Sequence, residues 1–120
     1  MIRHRLHKHT ISFRHAFEGL FWALKSQPNY IIHLTLSTLA VVFGFIFSIP
    51  KSDWIVLFML ISVGLAFETI NSAIEQTLDC VSLERRPDIK IAKDASAAAM
   101  LIFSIGAAFI AWLIFAPYFF

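Results

Sequence analysis

The chain has 120 residues, enough for one domain, with 58% hydrophobic and only 15% charged residues. Soluble domains carry about a quarter charged residues, so this balance excludes an ordinary soluble core and points to a membrane protein. The formal net charge of +2 is too small to call for a polyanionic partner, and no nucleic acid is expected among its partners. Cys80 is the one cysteine, so no disulfide can form within the chain and the thiol is read as incidental.

The N-terminus is basic, and RHRLHKH gathers His4, His7 and His9 without the spacing of a metal site on a regular element. A solvated, partly disordered terminus is expected there. No compact apolar stretch with a small-residue cleavage site follows it, so no removable signal peptide is expected. Residues 10–27 read as an amphipathic helix. Phe13, Phe17, Leu20, Phe21 and Leu24 recur at helical spacing, with Arg14, Glu18 and Lys25 on other faces, which suits a helix lying on a membrane surface.

Three apolar segments follow, over residues 30–49, 54–83 and 91–116. Each reaches the ~20 residues a spanning helix needs. Pro50 and residues 51–53 read as a tight turn, with Ser52 or Asp53 able to cap the second helix. Pro87, in the connection ERRPDIK, interrupts the helical ladder. His33, near the start of the first span, reads as a polar packing residue. The expected fold is an all-α membrane protein, with three transmembrane helices and an N-terminal amphipathic surface helix.

Basic residues favour the cytoplasmic side. Arg3, Arg5, Lys8, Arg14 and Lys25 precede the first span; Arg85, Arg86, Lys90 and Lys93 lie between the second and third; Lys51 stands alone between the first and second. Three spans put the first two groups on one side, so the N-terminus is expected in the cytoplasm.

The second span ends in ETINSAIEQTLD, residues 68–79. At 100° per residue, Glu68, Asn71, Glu75 and Asp79 fall within about 80° of arc, with Ser72 at the edge. At ~1.5 Å per residue, Glu68 lies about 21 Å from the outer end at Trp54, and Asp79 about 37 Å, past a hydrocarbon core of ~30 Å. A solvated helix end accounts for Asp79 and partly for Glu75. It does not account for Glu68, since a carboxylate within the membrane costs about 2.5–3.5 kcal/mol. Lys93 opens the third span, where the helix dipole disfavours a cation, so a pairing with the stripe is expected. Asp94 suits the same helix start.

Carboxylates can hold Mg²⁺, lysine can hold phosphate oxygens, and a poorly hydrated acid can accept a proton from an alcohol. These are the parts of phosphoryl transfer. No P-loop or dinucleotide loop is formed by Gly19, Gly44, Gly64 and Gly106. Glu68 and Glu75 are about 10.5 Å apart along the helix axis, too far to share one ion readily, and three helices shield a polar stripe poorly. A homo-oligomer answers both difficulties. Two other readings stay open: a small multidrug-type transporter using a buried Glu68, and a non-catalytic membrane scaffold.

E-x-I-N-[ST]-A-I-E-x-x-x-D over residues 68–79, A-K-D-x-x-A-x-A over 92–99, SFRHAFEGL over 12–20 and N-x-x-x-H from Asn29 to His33 resemble, in order and spacing, the prokaryotic diacylglycerol kinases and related undecaprenol kinases. The resemblance covers residues 12–115. It implies a homotrimeric inner-membrane kinase, with composite sites at the cytoplasmic face, that moves the γ-phosphate of Mg-ATP to a membrane lipid alcohol. It also implies roles. Glu68 would be the base, Asn71 would order the site, and Glu75 would hold metal. Asp79, Glu84, Arg85, Arg86, Lys93 and Asp94 would face the nucleotide, with Asp94 also close to the chemistry. His15 and Lys8 would meet the nucleotide from the N-terminal helix. Where the family often has a second metal-binding Glu, this chain has Gln27, a neutral and weaker ligand for a hard cation. Arg85 and Arg86 depart from the family's usual loop residues. The acceptor is expected to be diacylglycerol, placed first, or undecaprenol; nothing in the sequence reads the headgroup.

Overall fold

The structure is a computed structural model that describes the backbone of residues 2–120 and the side chains of residues 12–120. The described residues form four helices: α1 (Ile2–Ser26), α2 (Pro28–Ile46), α3 (Lys51–Val81) and α4 (Pro87–Phe119). No strand occurs among the described residues. Helices α2, α3 and α4 are each long and apolar enough to cross a membrane.

The boundaries correct the sequence reading in several places. α1 begins at Ile2 rather than near residue 10, so the basic terminus expected to be partly disordered is helical. Nothing in it breaks a helix, since no Pro or Gly precedes Gly19. α1 ends at Ser26, and Gln27, with extended backbone, serves as the N-cap of α2 with Pro28 behind it. Pro is favoured at this first helical position, because its missing N–H has no intrahelical partner to lose.

α2 stops at Ile46, three residues earlier than expected. Ser48 has φ 50°, the left-handed conformation that closes a helix. Its N–H donates to the Phe45 carbonyl, and the Ile49 N–H donates to the Gly44 carbonyl at 3.1 Å. These paired bonds form a Schellman ending. Lys51, Ser52 and Asp53, expected in a turn, form the first turn of α3. Its N-cap is Pro50, with no side-chain cap from Ser52 or Asp53. α4 likewise starts at Pro87, not at residue 91, because Pro87 opens the helix instead of merely interrupting one. It also runs past Pro117, and the Phe120 N–H still reaches the Ala116 carbonyl at 3.0 Å.

Ile49, Leu57 and Ile114 form the buried core at the Ile49 end, flanked by Ala40, Phe47, Trp54, Ile61, Ile110 and Phe115. Two glycines set the helix spacing. A Cβ on Gly44 of α2 would stand 2.6 Å from the Trp54 ring of α3, and one on Gly64 of α3 would stand 2.7 Å from the Phe103 ring of α4. Small residues of this kind let helices approach closely in lipid, where packing rather than hydrophobic exclusion holds them together. α1 buries Ala23 completely while Phe13, Phe17 and Phe21 stay exposed. α2 is much shorter than α3 and α4, with 19 residues against 31 and 33. The Val81 end of α3 and the Pro87 end of α4 therefore extend beyond α2.

Candidate functional site

The stripe on α3 divides along the helix. Glu68, Asn71 and Ser72 are buried within a single chain, so three helices shield this part better than the sequence suggested. The reason is the close seat of α4 at Gly64, one turn before Glu68. Glu75 and Asp79 are half-buried.

Several polar residues of α3 have a partner on a neighbouring helix or on their own backbone. Glu68 Oε2 lies 3.5 Å from His33 Nε2 on α2. Ser96 on α4 donates its hydroxyl to Asn71 Oδ1 at 2.5 Å. Ser72 donates to the Glu68 carbonyl at 2.9 Å. Thr69 donates to the Leu65 carbonyl, and its hydroxyl stands 3.4 Å from that of the buried Tyr30. Lys93 Nζ reaches Asp79 Oδ1 at 2.7 Å, which places the counter-charge that a cation in the first turns of α4 needs. Asp94 pairs with Lys90, one turn earlier on the same exposed face.

Two cavities flank this ladder. An apolar one of about 310 Å³ lies between α2, α3 and α4, and its walls include His33, Ser37, Leu57, Gly64, Phe103 and Ala111. A polar one of about 620 Å³ surrounds the connection between α3 and α4 and is lined by residues 82–87 with Ile89, Lys90, Lys93 and Asp94. Glu84, Arg85, Arg86, Lys93 and Asp94 thus share one cavity. Arg86 also makes a bidentate pair with Asp88, at 3.2 and 2.7 Å, which fixes its guanidinium at the cavity edge.

The other sequence candidates are spread more widely. Glu75 is half-buried two turns beyond Glu68 on α3, Gln27 is half-buried at the start of α2, and His15 is exposed on α1. The Lys8 side chain lies outside the described residues. Among the described residues, no three His, Cys, Asp or Glu side chains converge into a metal-binding group. Mg²⁺ commonly takes only one or two protein carboxylates and completes its shell with water and substrate phosphates. A half-buried Glu75 fits that mode.

His33, Tyr30 and Ser96 are the members of the ladder that sequence reading did not assign to it. The signal for His33 was present in N-x-x-x-H, but its partner depended on the register between α2 and α3.

Three apolar helices, with a buried acid and polar partners between them, define a multi-pass membrane protein with a site at one end of the bundle. The prokaryotic diacylglycerol kinase family matches residues 14–115. The undecaprenol kinase of Bacillus subtilis (strain 168) is 31% identical over 115 residues, covering 96% of this chain and 94% of that one. A diacylglycerol kinase of Pseudomonas aeruginosa is 28% identical over 73% of this chain and 72% of its own length. One from Synechocystis sp. is 26% identical over 89% of this chain and 62% of its own. The chain belongs to the prokaryotic diacylglycerol kinase family.

Proposed function

We propose that this chain is a lipid kinase that transfers the γ-phosphate of Mg-ATP to the hydroxyl of a membrane lipid alcohol. The observation that carries this reading is the division of α3. Glu68 is buried near an apolar cavity that His33 lines, while Asp79, three turns on, is tied to Lys93 on the wall of a basic cavity. The first arrangement suits a lipid hydroxyl and the second suits polyphosphate.

In the proposed reaction, Glu68 takes the proton of the alcohol as its oxygen bonds to the γ-phosphorus. The bond from that phosphorus to the β–γ bridging oxygen breaks, and ADP leaves. Lys93, Arg85 and Arg86 offset phosphate charge, which supplies much of the catalysis in phosphoryl transfer. Asn71, fixed by Ser96, holds the reacting end of the site in order, and Asp94 borders the nucleotide with Glu84. Glu75, helped by Gln27, would hold Mg²⁺, which when bound neutralises β- and γ-phosphate charge. His15 and Lys8 of α1 would be further contacts to the nucleotide.

The working unit in this reading is a homotrimer in the bacterial cytoplasmic membrane, N-terminus inside, with α1 along the surface. A neighbouring chain completes the nucleotide site, since Glu68 and Glu75 are about 10.5 Å apart along α3. The exposed Phe13, Phe17 and Phe21 of α1 and the basic residues on one side support this orientation. The near-full-length match to an undecaprenol kinase moves undecaprenol ahead of diacylglycerol as acceptor. A transporter built on Glu68 would leave the basic cavity without a role.

The test is direct. Purified protein in mixed micelles receives Mg²⁺, γ-labelled ATP and either undecaprenol or diacylglycerol. Label is expected in at least one lipid, with undecaprenol the faster; transfer to neither lipid refutes the kinase reading.

A further inference from the structure

His33 stands where three features of the bundle meet. It belongs to α2, its Nε2 lies 3.5 Å from Glu68 Oε2 on α3, and its ring lines the apolar cavity between α2, α3 and α4. The Glu68 side chain is 4% exposed and that of His33 is 22% exposed. Among the described residues, no other Lys, Arg or His lies within 4.0 Å of the Glu68 carboxylate.

The hydroxyls of Ser72, Thr69 and Ser96 are committed elsewhere. Ser72 donates to the Glu68 main-chain carbonyl, Thr69 to the Leu65 carbonyl, and Ser96 to Asn71. None of them orients the Glu68 carboxylate. The last torsion of a Glu side chain is broad and roughly two-fold, so an unguided carboxylate samples many planes. At 3.5 Å the His33–Glu68 contact is an ion-pair distance at the long edge of hydrogen-bond reach. A donor drawn onto Oε2 restricts that plane and leaves Oε1 to receive a proton.

The cavity reinforces this geometry. Its walls carry small side chains at Ser37, Ala40, Gly64, Ala107, Ala108 and Ala111, which leave a slot of about 310 Å³ among otherwise large apolar residues. That shape and lining take a hydrocarbon chain, and among the described residues His33 is the one ionisable residue on its wall.

We propose that His33 is a positioning residue: its Nε2–H holds Glu68 Oε2, so that Oε1 faces the hydroxyl of a long-chain alcohol whose chain lies in the cavity between α2, α3 and α4. This role rests on the reading of Glu68 as the base for that alcohol.

The test compares His33→Leu with His33→Gln in the purified, assembled protein. Leu fills the site without a donor, while Gln returns an N–H at similar reach. His33→Leu is expected to lower kcat by at least about tenfold while KM for Mg-ATP stays within about twofold, and His33→Gln is expected to recover most of the lost kcat. Equal loss in both variants, or a rise in KM for Mg-ATP with kcat unchanged, overturns the role. A second readout needs no turnover. In ¹⁵N-histidine spectra of the intact protein, Glu68→Gln is expected to shift the His33 side-chain signal, which is identified by its loss in His33→Gln. An unchanged His33 signal overturns the contact while leaving the kinase reading intact. Absence of lipid phosphorylation by the wild-type chain overturns the kinase reading and the His33 role together.

Discussion

The two ends of the α2–α3–α4 bundle are held by different chemistry. At the Ile49 end the contacts are aromatic. Phe47 stacks on Tyr118 with centroids 5.0 Å apart and meets Phe119 edge-on at 5.1 Å, while Phe45 leans on Trp54 at 4.8 Å. At the Val81 end the helices are joined by polar pairs: Glu68 with His33, Asn71 with Ser96, and Asp79 with Lys93. Stability alone does not explain the second arrangement, because polar contacts between membrane helices contribute only about 0.6 kcal/mol on average and a membrane carboxylate costs several times that. The aromatic end is built for packing, and in the proposed function the polar end carries the chemistry.

This contrast predicts that substitutions at the polar end remove activity out of proportion to stability, and that the reverse holds at the aromatic end. The largest effect is expected from Glu68→Gln, which should lower kcat by about 10²- to 10⁴-fold, the usual contribution of a general base, while the oligomer persists in size-exclusion chromatography. Lys93→Met comes next. Losing a charged hydrogen bond to phosphate is worth about 1.5–3 kcal/mol, read as a rise in KM for Mg-ATP of roughly tenfold or more. Gly64→Val tests the join between the two regions. Its side chain would drive into Phe103, and overpacking of about 1–3 kcal/mol should lower the thermal midpoint. The smallest effect is expected from Phe47→Leu, which gives up aromatic pairing worth about 0.5–1.5 kcal/mol and should leave turnover near normal.

How much could be read from the sequence follows the same division. The three apolar runs and the one-face stripe of Glu68, Asn71, Glu75 and Asp79 are properties of single helices, and helical periodicity alone reveals them. The ends of the helices were less legible. Pro50 and Pro87 each signal a break, but only the backbone shows that they cap and open helices, and the Schellman ending at Ser48 has no glycine to announce it. Least legible were the partners. That Glu68 meets His33 and Asn71 meets Ser96 depends on how three helices slide and rotate against one another, and no local pattern sets that register. The close approaches at Gly44 and Gly64 belong to that packing.

The role of Glu68 is tested by comparing wild type and Glu68→Gln side by side in the same mixed micelles, with saturating Mg²⁺ and γ-labelled ATP, following label into undecaprenol while size-exclusion chromatography tracks the assembly. Glu68 as the base predicts labelled lipid from the wild-type protein and at least about a hundredfold less from the variant, with the assembly unchanged. Near-normal transfer by an intact Glu68→Gln assembly would contradict it.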